Sequence, residues 1–323
     1  MHPDAPLDVQ DIKDALGRIA PHLVGTPCFP CWELESGESA GPVWLKAESL
    51  QRTGSFKARG ALNWLLTAAA HEHEPGLITV SAGNHAIALA WAARQKQTSL
   101  IVVMPAGSSP LKIEATERLG AKVIVEGDIN AAVARTHELA QSSGRTLVHP
   151  YNDLRVMAGQ GTVGLELLRQ LPDLTRILCP IGGGGLISGL GVAVKAVKRD
   201  VELIGVEPAG AATMLNAWSK QDWKARLCSV DTLASSLAPA IVGEHTYAVS
   251  RQVVDNIVTV DEEAIARATR RLALGARLYA EPGAAVALAG LEACGAPAES
   301  QGQTVLIITG GNMEPALARR LLG

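Results

Sequence analysis

The sequence predicts an α/β chain built as two lobes, each an open, twisted, mainly parallel sheet with helices on both faces. Three observations predict it. Short apolar runs alternate with longer helical patterns along most of the 323 residues. The runs are nearly continuous in apolar side chains, as expected for parallel strands buried on both faces. Four of them start at residues 76, 99, 122 and 145, an even spacing that fits four successive βα units.

In chain order, strands are expected at 43–48, 76–81, 99–104, 122–127, 145–150, 176–181, 202–207, 256–260 and 304–309. Helices are expected at 84–96, 110–119, 160–170 and 262–279 among others. Residues 76–153 read as a compact small lobe of four βα units. It is inserted between 1–75 and 154–323, which join as the larger lobe. Parallel sheets present ligands at the carboxyl ends of their strands, and each motif below sits at such an end.

Composition excludes several classes. A net charge of −3, with 47% hydrophobic and 19% charged residues, is ordinary for a soluble globular protein. No basic block supplies phosphate neutralisation, so nucleic acid is not the expected partner. Residues 1–10 are polar, with Pro3, Asp4, Pro6 and Asp8, unlike a signal peptide. No apolar run reaches membrane-spanning length; the stretch 58–70 is broken by Arg59, Gly60 and Asn63. Five cysteines make no disulfide framework, and a reducing cytoplasm is expected. Cys28 and Cys31 form a lone CxxC without a second pair or a histidine at zinc spacing. They read as two small apolar residues.

Four motifs carry chemistry. Ser55-Phe56-Lys57-Ala58-Arg59-Gly60 opens a helical stretch after the first strand. Apolar and small neighbours around Lys57 favour a desolvated amine, whose lowered pKa suits covalent bonding to a carbonyl group. Ser81-Ala82-Gly83-Asn84-His85 joins a strand to a helix start, where unpaired backbone N–H groups suit an anion; a simple N-cap would look the same. Gly182-Gly183-Gly184-Gly185 also lies between a strand and a helix. Four glycines are entropically costly and make sense where backbone wraps a phosphate. Thr309-Gly310-Gly311-Asn312 ends the last strand; its hydroxyl would suit a heteroaromatic ring nitrogen or merely close a turn.

In this order, and with Ala158-Gly159-Gln160-Gly161-Thr162, Val206-Glu207-Pro208 and Glu281-Pro282, the chain resembles the threonine dehydratase and serine racemase branch of the fold-type II pyridoxal-phosphate (PLP) family over nearly its whole length. The resemblance implies that Lys57 holds PLP covalently and that Phe56 packs on the ring. It implies that Gly182, Gly183, Gly184 and Gly185 bind the phosphate, that Asn84 meets the ring hydroxyl and that Thr309 meets the ring nitrogen. Glu281 matches an acidic position near the cofactor. Ser81, Ala82, Gly83, Asn84 and His85 would receive the substrate carboxylate. The implied reaction is removal of water and then ammonia from a small β-hydroxy amino acid such as L-threonine or L-serine. A homodimer is implied as well.

Departures qualify the resemblance. Ala82 stands where racemases of this branch carry a serine that transfers a proton, which favours dehydration over racemisation. Thr213 stands where the divalent-cation loop near Glu207 needs a second acidic ligand, so no obligatory metal is expected. Ser235 and Ser236 replace an Asp-Gly pair near the substrate and either reshape the pocket or repack a loop. Biosynthetic dehydratases carry a regulatory domain beyond the position of Gly323, so a catabolic enzyme is expected. Racemisation, β-replacement as in cysteine synthase, and a non-catalytic binding protein remain as alternatives.

Overall fold

The computed structural model describes residues 6–34, 43–294 and 302–323. Residues 1–5 of the polar N-terminus lie outside these. Ten strands among the described residues form two sheets. They are β1 (Cys28–Cys31), β2 (Val43–Ala47), β3 (Leu77–Val80), β4 (Leu100–Pro105), β5 (Lys122–Glu126), β6 (Thr146–Leu147), β7 (Leu174–Pro180), β8 (Glu202–Pro208), β9 (Asn256–Val260) and β10 (Gln303–Ile308). The six-stranded sheet has the order β1-β2-β10-β7-β8-β9, and the four-stranded sheet β5-β4-β3-β6. Every pairing is parallel except β1 with β2.

Each sheet reverses its winding once. In the larger sheet β7 leads to β8 and β9 on one side, while β10 lies on the other side of β7, next to β2. In the smaller sheet β3 lies between β4 and β6. Loops leaving the carboxyl ends at such switch points diverge and leave a crevice.

Helices cover both faces of the larger sheet. Leu154–Gln170 and Gly185–Val197 bury one face with Ile177, Cys179 and Leu203, while Glu262–Leu274 and Pro282–Cys294 bury the other with Leu178, Ile204 and Leu306. A third core, with Trp64, Leu89 and Val102, joins the smaller sheet to Lys57–Thr67 and Asn84–Gln95.

Several expected boundaries are corrected. β1 was not expected; it is an edge strand, where Pro30 is tolerated because no ladder N–H is needed there. Cys28 and Cys31 fall on opposite faces of it, one packed on each core cluster, and burial pushes the Cys28 thiol up to about 12. The strand expected at 145–150 shrinks to two residues. The Val148 carbonyl accepts from Thr79 Oγ1, and His149 Nδ1 accepts from the Tyr151 and Asn152 amides, turning the chain away. The helix expected from residue 160 begins at Leu154, capped by Asp153. Its Gly159 and Gly161 allow backbone contact: a Cβ at either would lie 2.6 Å from the Arg59 carbonyl or 2.7 Å from that of Gly189. That helix packs on the larger sheet, so the fourth βα unit is split between the sheets. The helix expected to reach residue 279 stops at Leu274, before Gly275.

A buried charge cluster ties these parts together. Arg59 makes paired hydrogen bonds to Glu48 (2.7 and 2.8 Å) and to Glu166 (2.7 and 2.9 Å). Lys46 adds a 2.6 Å contact to Glu166. The cluster joins the end of β2, the helix that begins at Lys57, and the helix Leu154–Gln170. Replacing Arg59 with Met leaves two buried carboxylates short of a partner, and urea unfolding should show a loss of about 3–5 kcal/mol. A loss under about 1 kcal/mol would show that the cluster is not needed to hold these elements.

Candidate active site

The two crevices meet in one site. Loops after β2, β7 and β10 come from the larger sheet, and loops after β3 and β6 from the smaller one. Hydrogen bonds cross the site: Asn84 Nδ2 donates at 2.6 Å to Oε1 of Glu281, which precedes the helix Pro282–Cys294, and Asn312 Nδ2 donates to Asn84 Oδ1 at 2.8 Å. Both ends of the Asn84 amide are thereby fixed, with one N–H spent on Glu281 and a second left for a ligand.

Lys57 begins its helix half-buried. The turn before it is built by Thr53 and Gly54, both at positive φ (64° and 74°). A Cβ on Gly54 would collide with Asn312 Oδ1, so glycine is what lets Asn312 reach the Thr53 carbonyl, at 2.8 Å. The Phe56 amide donates to the Thr309 carbonyl at 3.1 Å, which sets Phe56 and Lys57 beside the end of β10. Lys57 Nζ donates to the Pro150 carbonyl at 2.8 Å and lies 5.2 Å from the Phe56 ring centroid. Burial acts on this amine without a carboxylate to offset it, and brings its pKa down to about 8.

The glycine run follows β7. Gly184 has φ of +88° and precedes the helix Gly185–Val197, whose first amides are unpaired donors. A Cβ on Gly183 would strike the Tyr151 ring, and one on Gly184 would lie 2.6 Å from the Met214 methyl. The bare backbone therefore forms a cradle beneath Tyr151, whose hydroxyl donates to the Ile241 carbonyl at 2.9 Å.

Other expected residues divide. Ser236 bonds to Glu281 and its carbonyl approaches Gly182, whereas Ser235 is exposed; of that pair, Ser236 reaches the site. Burial raises the pKa of Glu281, and Lys112, Asn84 and Ser236 oppose the rise. Ser81 Oγ accepts from the Gly83 amide at 3.3 Å, and Ala82 is exposed. His85 and Thr309 are buried. Burial, then the charges of Lys57 and His149, hold His85 well below the usual imidazole range. Glu207 accepts from the Met214 and Leu215 amides at 2.7 and 2.9 Å, so its carboxylate caps the helix Thr213–Lys220. Among the described residues no group of three His, Cys, Asp or Glu side chains gathers at metal-binding range.

Sequence reading missed three residues. His149 and Tyr151 stand at the end of an expected strand, the position that signals a site, yet an isolated His-Pro-Tyr carries no motif. The ring of His149 lies edge-on to Tyr151 at 4.6 Å, and burial followed by the Lys57 charge lowers its pKa to about 4. Lys112 lies in an ordinary-looking helix start and is nearly buried.

These residues fit PLP. A lysine able to shed its proton near neutrality lies near an amide donor and a phosphate-sized backbone cradle at a helix N-terminus. The Ser49, Thr53 and Ser55 hydroxyls leading to Lys57 are buried with no partner among the described residues, as expected where a polar ligand supplies one. Fold and site together fit a cofactor enzyme with a lysine amine in its cleft. The chain belongs to the family of pyridoxal-phosphate dependent enzymes, whose model matches residues 19–310. It is 36% identical over 318 residues to the L-threonine ammonia-lyase of Thermotoga maritima, covering 98% of this chain and 78% of that one. The fold matches a threonine deaminase from T.th. (TM-score 0.88, 36% identity, 95% of this chain and 99% of that one). It also matches maize serine racemase (TM-score 0.90, 31% identity, 97% and 96%).

Two outcomes follow from this geometry. Gly183→Val puts side-chain atoms into Tyr151, and PLP affinity, followed by absorbance, should fall at least about tenfold with the far-UV spectrum unchanged. In the cofactor-free protein the neutral fraction of Lys57 rises as pH passes about 8. The rate of PLP capture should therefore climb between about pH 7 and 9 and then level off; a climb continuing past about pH 10 would indicate an ordinary lysine.

Proposed function

We propose that the enzyme removes water and then ammonia from a small β-hydroxy amino acid, L-threonine or L-serine, and leaves a 2-keto acid. The observation that carries this reading is the Lys57 amine, buried without a carboxylate partner and set in a cleft with the loop 81–85. The names of the T. maritima and T.th. proteins support the substrate class.

Lys57 binds PLP in this reading, the glycines 182–185 hold its phosphate, Asn84 faces the ring hydroxyl and Thr309 the ring nitrogen. Bound PLP supplies an electron sink for the bond broken at Cα. A neutral Thr309 hydroxyl at the ring nitrogen would leave that sink shallow and favour loss of the β-substituent. Glu281 and Asn312 keep the Asn84 amide oriented. Residues 81–85 present backbone N–H groups to the substrate carboxylate at the start of the helix Asn84–Gln95. Once released, the Lys57 amine takes the α-proton, a task suited to a group titrating near pH 8. Ala82 offers a methyl group at the position where a racemase needs a second proton carrier, which disfavours the racemase reading. Residues 76–153 act as a small lobe inserted between 1–75 and 154–323. The enzyme works as a cytoplasmic homodimer.

A panel of β-hydroxy amino acids in both enantiomers tests this. L-threonine or L-serine should yield keto acid and ammonia in equal amounts, and Lys57→Ala should cut turnover by at least about 100-fold while the fold persists. Inversion of configuration without keto acid would establish racemisation instead.

A further inference from the structure

Lys112 lies in the first turn of the helix Pro110–Arg118, where the helix dipole opposes a cation. It is only 9% exposed, yet its ammonium makes no hydrogen bond or close ion pair with any described residue. With the side chain nearly buried and the ammonium without a hydrogen-bond partner of its own, the charge is available to a ligand. Two groups lie within its reach. A Cβ built on Gly83 would come 3.8 Å from Lys112 Nζ, so the ammonium stands over the backbone of the loop 81–85. Glu281, on the far side of Asn84, also feels its charge. Nothing else in that loop brings a positive side chain: Ser81, Ala82, Gly83 and Asn84 are neutral, and His85 is held uncharged.

We infer that Lys112 is a substrate-binding residue, whose ammonium completes the receptor for the amino acid's α-carboxylate above the N–H groups of residues 81–85. This rests on the reading that the loop 81–85 receives that carboxylate. The full positive charge makes the site select a free amino acid over a neutral amide, which backbone donors alone would do only weakly. The bound anion in turn supplies the partner the ammonium otherwise lacks.

The test compares L-threonine with L-threoninamide on holoenzyme, wild type, Lys112→Met and Lys112→Arg. Binding is read from the absorbance change of the bound cofactor, KM and kcat from product formation, and folding from thermal melting. Lys112→Met should weaken L-threonine binding by about tenfold to a hundredfold. Its affinity for the amide should stay within about twofold, and Lys112→Arg should restore part of the preference. KM should rise by more than kcat falls. Equal weakening of both ligands in Lys112→Met would assign Lys112 to holding Glu281 and overturn the inference; so would an undiminished preference. Should Lys112→Met fail to fold, Lys112→Arg with wild-type preference for the acid sustains the proposal, and Lys112→Arg with no gain over the amide defeats it. A wild type that binds neither compound and no L-serine overturns the functional reading itself, and the inference with it.

Discussion

Two cations two residues apart on one helix meet opposite fates, and the site depends on the difference. Arg59 is buried between Glu48 and Glu166, with paired hydrogen bonds to each. Lys57 is placed in the cleft with only a backbone carbonyl for a partner. Coulombic pairing keeps the guanidinium charged and makes it an anchor. Desolvation without pairing loosens the proton of the amine, the property a nucleophile needs. The anchor also fixes the base of the helix from which Lys57 projects, so the position of Lys57 depends on the Arg59, Glu48 and Glu166 cluster.

The topology gathers everything else around that amine. Both sheets place their switch points toward one cleft, and loops from the carboxyl ends of five strands converge there. The polar contacts that cross it are short and few: Glu281 and Asn312 on Asn84, Lys57 on Pro150. Burial pushes each imidazole near Lys57 toward its neutral form, so the lysine rather than either histidine carries the titratable proton there. The donors fixed at the cleft are uncharged backbone amides and the Asn84 side-chain amide, with the Lys112 ammonium standing over the loop 81–85.

Much of this was legible in the sequence. The parallel strands announced themselves because both faces are buried, and the motifs at Lys57, Asn84, the glycine run and Thr309 fall at strand ends as the pattern requires. What stayed hidden has a physical cause in each case. The glycines of Leu154–Gln170 weaken the helical signal, yet they are the surfaces on which two other helices press their backbones. β1 is a four-residue edge strand containing Pro30, too short and too atypical for periodicity. Tyr151 and Lys112 act through space: one lies flat on Gly183, more than thirty positions later in the chain, and the other stands over a loop that precedes it. Ser235 and Ser236 look equivalent as a dipeptide, and only the turn they occupy separates the exposed one from the one bonded to Glu281.

The proposed chemistry stands on covalent attachment of PLP at the Lys57 nitrogen. Borohydride reduction of the PLP-loaded protein, followed by digestion and peptide mass mapping, reads that attachment directly. A pyridoxyl group on the peptide carrying Lys57 is the predicted result. An unmodified Lys57 with the label on any other lysine would contradict it.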